Sequence, residues 1–125
     1  ELVESINITN KLQIHFRFEG FELVSVSQDV HLTIYRIIQE QLNNILKHAQ
    51  AQHVFIEISN TVQHLLLVIR DDGKGFNPQH KRRGIGITNM ITRAENMHGK
   101  LHLQTAPGKG CVLTVTLPPL NICNN

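Results

Sequence analysis

The chain has 125 residues, 41% of them hydrophobic, enough for one ordinary domain with a single core. Twelve Lys and Arg against ten Asp and Glu leave a net charge of only +2, and the basic residues are scattered apart from Lys81-Arg82-Arg83, which excludes a broad nucleic-acid footprint. Aromatic residues are too few for base-stacking platforms, and none of the eight histidines stands in a spacing with Cys or a second His that reads as a closed zinc site. Cys111 and Cys123, with no signal-peptide pattern ahead of them, do not make a disulfide scaffold and fit a reducing, cytoplasmic setting. The longest apolar run, Leu65 to Ile69, is too short to cross a bilayer, so any membrane tie would come from other regions.

Residues 1–12, with Leu2, Val3, Ile6 and Ile8 among polar neighbours, read as a short helical end or lead-in segment. From Gln13 to Phe18 the alternation of Ile14, Phe16 and Phe18 with polar residues predicts a half-buried strand, broken at Gly20. Ser27 and Asp29 stand ahead of a long helical pattern in which Ile34, Ile38, Leu42, Ile45 and Ala49 recur at intervals of three and four. Val54, Ile56 and Ile58 then alternate, a polar turn follows at Ser59 to Gln63, and Leu65 to Ile69 reads as a fully buried strand, so the pair predicts an antiparallel hairpin. Asp71 to Gly86 holds four of the eight glycines and is irregular. A second amphipathic helix carries Ile87, Met90, Ile91, Ala94 and Met97, with Gly99 as its C-terminal cap. Leu101 to Thr105 and Val112 to Leu117 read as two strands joined across Pro107-Gly108-Lys109-Gly110, and Pro118-Pro119 ends the fold before a short tail. Helices and strands in blocks favour an α+β two-layer sandwich over a doubly wound sheet.

Four pieces carry chemistry. On the first helix Arg36, Glu40, Asn44 and Lys47 share one narrow arc, with the apolar stripe centred on Ile38 and Leu42 roughly opposite. A carboxylate, a carboxamide oxygen and an ammonium on adjacent turns are what a magnesium-phosphate site uses, although a solvated helix face is the better reading of such an arc standing alone. Asp71-Asp72-Gly73-Lys74-Gly75 follows a buried strand, where an aspartate can accept a hydrogen bond from the exocyclic amine of adenine; its bland reading is an acidic tight turn. Gly84-Ile85-Gly86-Ile87 opens the second helix, whose free N–H groups favour phosphate, or is a hinge. Gly108-Lys109-Gly110-Cys111 precedes the last strand and by itself is an ordinary turn.

The order and spacing of these pieces change the balance. Gln39-Glu40-Gln41-Leu42-Asn43-Asn44-Ile45-Leu46-Lys47-His48-Ala49 resembles the N box, Asp71 to Gly75 the first glycine box and Gly84 to Met90 the second glycine box of the histidine-kinase ATPase domain. The resemblance runs from about Gln13 to Pro118, and the set is shared with gyrase, Hsp90 and MutL. Tyr35-Arg36-Ile37-Ile38-Gln39-Glu40 and the short interval between the glycine boxes look most like kinases that pair with LuxR-type response regulators.

This resemblance implies a Bergerat-type sandwich over residues 13–118, with a mixed, mostly antiparallel sheet, helices on one face and a tail at 119–125. It implies that ATP and Mg²⁺ are the cofactors. Asn44 would ligate Mg²⁺, Glu40 would act as base or position the attacking group, and Lys47 and His48 would lie near the phosphates. His48 capped by a backbone carbonyl is the competing reading. Asp71 would bind the adenine amine, Gly73 and Gly75 would shape the base pocket, and Gly84 and Gly86 would flank the phosphates at a short lid, Phe76 to Arg83. The family usually has Thr where this chain has Cys111, and a thiol supports the aspartate less well than a hydroxyl.

The acceptor histidine of such kinases lies on a separate dimerisation helix and is typically followed by an acidic residue, and none of the eight histidines here is. The implied partners are therefore a dimerisation and phosphoacceptor domain of the same kinase and a response regulator, with residues 1–12 as the end of the connecting linker and a monomer expected without those helices. The rival readings are an anti-sigma-factor serine kinase, a gyrase-type or Hsp90-type clamp, which would need more chain after residue 117, and a non-catalytic nucleotide-binding scaffold, for which Cys111 is the main support. The other seven histidines are assigned structural or surface roles.

Overall fold

The computed structural model describes residues 2–9, 12–21, 25–75 and 86–120. Among these, six strands and two helices follow in the order β1 (Leu2–Thr9), β2 (Leu12–Glu19), α1 (Gln28–Asn44), β3 (His53–Asn60), β4 (Leu65–Asp71), α2 (Ile87–Asn96), β5 (Lys100–Thr105) and β6 (Cys111–Leu117). The strands form one sheet in the order β1-β2-β3-β4-β6-β5. Only β2 and β3 run parallel, because α1 lies between them as a crossover; every other neighbouring pair is antiparallel. The result is the mixed, mostly antiparallel two-layer sandwich that the sequence predicts.

One face of the sheet carries the core. Ile14, Val54, Ile56, Leu65, Leu67, Ile69, Leu113 and Val115 are all but inaccessible and pack with Ile37 of α1 and with Met90 and Ala94 of α2. Side chains of this size each contribute roughly 1.5–3 kcal/mol on burial, so this layer is the main source of stability. The run Leu65 to Ile69, expected to be buried throughout, instead alternates: Leu66 and Val68 sit half-buried on the uncovered face. Among the described residues helices cover only one side of the sheet, so a β4 residue of either parity can be apolar without both parities being core.

Residues 2–9 form a strand, not a helical end. Leu2 pairs with Phe18 and Ile6 with Ile14, with a bulge between Asn7 and Thr9. Apolar residues at positions 2, 3, 6 and 8 suit either period, and the sheet edge offered by β2 decides the matter.

Ser27 caps α1 as its position suggests, its hydroxyl accepting the Val30 N–H at 3.2 Å. The buried stripe of α1 is Ile34, Ile37 and Gln41, continued by Ile45 just beyond its end and rotated from the expected centre at Ile38 and Leu42, both of which are only half-buried. The displacement comes from Gln41, a polar residue that is 4% exposed because its amide finds partners inside. Beyond Asn44 the helix widens into a π-helical turn, Ile45–Ala49, and ends at Gln50 in the left-handed region.

The end of α2 differs from expectation in one residue. His98, not Gly99, takes the left-handed conformation (φ 62°), with its N–H bonded to the Glu95 carbonyl and the Gly99 N–H to that of Ala94, a Schellman ending. Gly99 is small for a different reason, since a Cβ there would overlap Leu117 and the Thr116 carbonyl. At the far end of the chain Leu120 donates its N–H to Asn60 Oδ1 at 3.0 Å and packs on the core. The tail therefore begins docked on the β3–β4 turn.

Candidate functional site

The C-terminal half of α1, the end of β4, the start of α2 and the β5–β6 end of the sheet enclose a cleft of about 600 Å³. Its walls include Glu40, Gln41, Asn43, Asn44, Lys47, His48, Asp71, Lys74, Gly75 and Cys111, with Ile45, Ala49, Ile87 and Leu103 as apolar surface. Glu40, Asn44, Lys47, His48, Asp71, Gly75 and Cys111, expected from sequence, thus meet around one space. Arg36, on the same helical arc, is exposed and is not part of this wall. Gly84, the lid Phe76 to Arg83 and Lys81-Arg82-Arg83 lie outside the described residues.

Asp71 is the last residue of β4 and only 9% exposed. Its Oδ1 accepts the Gly73 N–H at 2.8 Å, which places Gly73 at the site as a donor to the aspartate. Burial pushes the Asp71 pKa up; the Gly73 bond opposes this, and neighbouring Asp72 adds to the rise. Asp72 behaves oppositely. Burial would raise its pKa, but the N–H groups of His53 and Gln52, at 2.9 and 2.8 Å from Oδ1, hold it below the ordinary value.

The loop after Asp71 is fastened on two sides. The Lys74 N–H reaches the Ala49 carbonyl at the end of the π turn, and the Gly108 N–H reaches the Lys74 carbonyl from the β5–β6 turn. Gly75, with φ +63°, sits where any Cβ would overlap the Ala106 carbonyl, so only glycine lets these strands close on the cleft.

Gly86 does not line the cleft itself but stands behind its Glu40 wall. It precedes α2 with φ +79°, and a Cβ there would stand 2.7 Å from Glu40 Oε1. The bare backbone at the head of α2 therefore lies against the Glu40 carboxylate, and the N-cap residue, Gly86, offers no side chain to the first-turn N–H groups.

Cys111 is the register partner of Asp71 across β4 and β6. Burial and the Asp71 carboxylate push its thiol pKa up to about 12, so it is a neutral S–H at physiological pH. Its sulfur accepts from Gln41 Nε2 at 3.7 Å, and Gln41 Oε1 accepts from Asn44 Nδ2 at 3.4 Å. This chain from Asn44 through Gln41 to Cys111 links the two ends of the site. Sequence reasoning missed Gln41, Ile87 and Leu103: Gln41 shows no apolar signal, and only the three-residue spacing from Asn44 hinted at a pairing.

The profile of the histidine kinase-, DNA gyrase B- and HSP90-like ATPases matches residues 29–121. The chain belongs to this family. Two curated relatives are each 34% identical: the signal transduction histidine-protein kinase/phosphatase DegS of Brevibacillus brevis, over 92 residues, and the sensor histidine kinase YxjM of Bacillus subtilis (strain 168), over 117 residues. These alignments take in 73% and 94% of this chain but only 24% and 28% of the relatives, so the chain spans about a quarter of their length. Among solved structures, the histidine kinase domain of the Erythrobacter litoralis EL346 blue-light activated kinase superposes with TM-score 0.63 at 18% identity, over 85% of this chain and 52% of that one. The ATP binding domain of PrrB from Mycobacterium tuberculosis gives 0.60 at 20% identity, over 70% and 68%. These last two establish the fold.

An ATPase-family domain takes ATP, and the cleft fits it. Its volume lies in the range of small-molecule sites, and its lining combines apolar side chains with the buried Asp71 carboxylate and the Lys47 and Lys74 ammonium groups. Among the described residues, no helix is long and apolar enough to cross a membrane.

Proposed function

We propose that this chain is the ATP-binding catalytic domain of a two-component sensor histidine kinase, serving transfer of the γ-phosphoryl group of Mg-ATP to a histidine on a separate dimerisation domain. The observation that carries this reading is the convergence of Glu40 and Asn44, one helical turn apart, with Asp71 on one cleft. The two relatives at 34% identity, both named histidine kinases, support the kinase branch.

In this reading Asp71 accepts a hydrogen bond from the adenine amine, held in place by Gly73 and flanked by Gly75. Asn44 offers its carboxamide oxygen to Mg²⁺, because its Nδ2 is already committed to Gln41. When bound, Mg-ATP supplies the activated phosphoryl group, its charge partly neutralised by the metal. Lys47 and the first-turn N–H groups of α2 add positive potential near the phosphates, with His48 beside them; the family pattern gives Gly84 and Gly86 the place flanking the phosphates. Glu40 positions the attacking group and holds its proton. Cys111 and Gln41 together take the supporting place of the family's usual threonine. Residues 13–118 form the catalytic unit, residues 1–12 lead from the dimerisation domain while adding β1 and the first residue of β2 to the same sheet, and residues 119–125 are the tail. The phosphate passes on to a response regulator of the LuxR type in the cytoplasm. Without its dimerisation domain the chain is a monomer.

The test supplies γ-labelled ATP, the chain and a purified helical domain carrying an acceptor histidine. Label on that domain that is lost in acid and survives alkali, and that disappears with Glu40→Gln, is the expected result. Acid-stable label on serine, or no label with a chain that binds nucleotide, would overturn the kinase assignment.

A further inference from the structure

The uncovered face of the sheet holds a second cluster of chemistry-bearing side chains, remote in role from the cleft. In the parallel pairing of β2 with β3, Gln13 stands opposite His53 and His15 opposite Phe55. His15 and His53 are therefore diagonal neighbours on one face. Their rings stack at 5.5 Å between centroids and 22° between planes, and His15 Nε2 lies 3.3 Å from His53 Nδ1.

Two features make this pair more than a surface coincidence. The first is preorganisation: the His15 ring lies 4.7 Å from that of Phe55 at 14°, and Phe55 is covered by the Arg70 guanidinium at 5.6 Å, itself paired with Glu57 at 2.7 Å. The imidazoles are thus braced by a stack that does not depend on the nucleotide site. The second is the distance. Imidazole nitrogens bound to zinc at ~2.0–2.1 Å and subtending a tetrahedral angle stand about 3.3 Å apart, which is the separation found here. The same contact serves as a ring-to-ring hydrogen bond whose donor is set by the tautomers, and a metal ion would take the place of the shared proton.

We infer that His15 and His53 form a two-histidine site for a borderline divalent transition metal such as Zn²⁺, Ni²⁺ or Cu²⁺. Among the described residues no third His, Cys, Asp or Glu completes a larger cluster, and a site resting on two imidazoles exchanges metal readily. Imidazole donors select these ions over Mg²⁺ and Ca²⁺, and the site does not compete for the cleft's magnesium. Charge around it is mixed. Arg17 and Arg70 lie on the same face but are paired to Glu57, and Asp72, electrostatically coupled to His53, supplies negative charge on the other side. Asp72 also ties the start of β3 to the loop that follows Asp71, through the Gln52 and His53 amides. A metal held at His53 therefore stiffens the strand end that supports the nucleotide loop.

The experiment titrates chelator-treated protein with Zn²⁺ near neutral pH by calorimetry, for the wild type and for His15→Gln and His53→Gln separately. The wild type should bind one ion more tightly than either variant, with a shift of the His15 and His53 ring resonances. Loss of a direct ligand should weaken binding by more than the ~10–100-fold that loss of an outer-shell partner costs. Mg²⁺ should leave those resonances unmoved, and both variants should keep the wild-type circular dichroism. Equal affinity in all three proteins would place the ion on other histidines, and no saturable binding to the wild type would likewise overturn the proposal.

Discussion

Replacing Gly86 with alanine tests whether the head of α2 really rests on the Glu40 carboxylate. Two costs arise, and they separate cleanly. Gly86 has φ +79° and ψ −33°, a conformation that costs a residue bearing a Cβ ~1–3 kcal/mol whatever surrounds it. The new methyl would also stand 2.7 Å from Glu40 Oε1, 3.0 Å from Cδ and 3.2 Å from Cγ, all inside the ~3.5–4.0 Å optimum for nonbonded contact. Glu40→Ala removes all three of those atoms, leaving the backbone cost alone. Unfolding by urea of the wild type, both single variants and the double variant therefore gives a coupling energy between the sites. Touching residues couple by ~0.5–3 kcal/mol, and the lower end is expected because a carboxylate at the tip of a flexible side chain can swing aside. That swing takes Glu40 from its place in the cleft, so Gly86→Ala should also lower phosphotransfer more than it lowers nucleotide affinity. Additivity within ~0.3–0.5 kcal/mol would refute the contact.

Gln41→Leu removes the link between Asn44 and Cys111 and puts an apolar side chain of similar size in its place. Magnesium-free nucleotide affinity should hold and the gain from added Mg²⁺ should shrink, read by calorimetry; an unchanged magnesium effect would show that Asn44 needs no support. Acid should weaken nucleotide binding through Asp71. Its folded pKa is raised, so the charged acceptor is lost at a higher pH than an ordinary aspartate with pKa 3.8, and an Asp71→Asn variant should lack this step. The two neighbouring aspartates act on stability with opposite signs. Ionised Asp71 destabilises the fold above its folded pKa, and this cost disappears as pH falls through that value, whereas Asp72 stabilises above its unfolded pKa and loses that contribution as pH falls through its lowered folded pKa. Urea midpoints of Asp71→Asn and Asp72→Asn across acid pH should consequently move in opposite directions relative to the wild type.

Much of this organisation is legible in the sequence, for reasons that differ by element. Alternation in Val54, Ile56 and Ile58 and the glycines before β6 are local signals that long-range packing reinforces, and Ser27 caps α1 through a contact within one turn. Residues 2–9 became a strand through pairing with β2, a partner that no local period reveals. The true core stripe of α1 was obscured by Gln41, because a polar residue enters the core when distant partners, here Cys111 seventy positions away, satisfy its amide. At the site, Glu40, Asn44 and Asp71 could be named from motif order, but the apolar wall of Ile87 and Leu103 depends on α2 packing against β5, which spacing alone does not give. His15 and His53 looked like unrelated surface residues since only the parallel register of β2 and β3 brings them together.

The central claim is that Asp71 and Asn44 frame one nucleotide site. Calorimetric titration of the chain with ADP or a non-hydrolysable ATP analogue, with and without Mg²⁺, for the wild type, Asp71→Asn and Asn44→Ala, tests it most directly. Saturable binding that weakens sharply in Asp71→Asn and loses its magnesium dependence in Asn44→Ala is the predicted result. A folded wild-type chain that binds no nucleotide, or binds it equally well in both variants, would contradict the account.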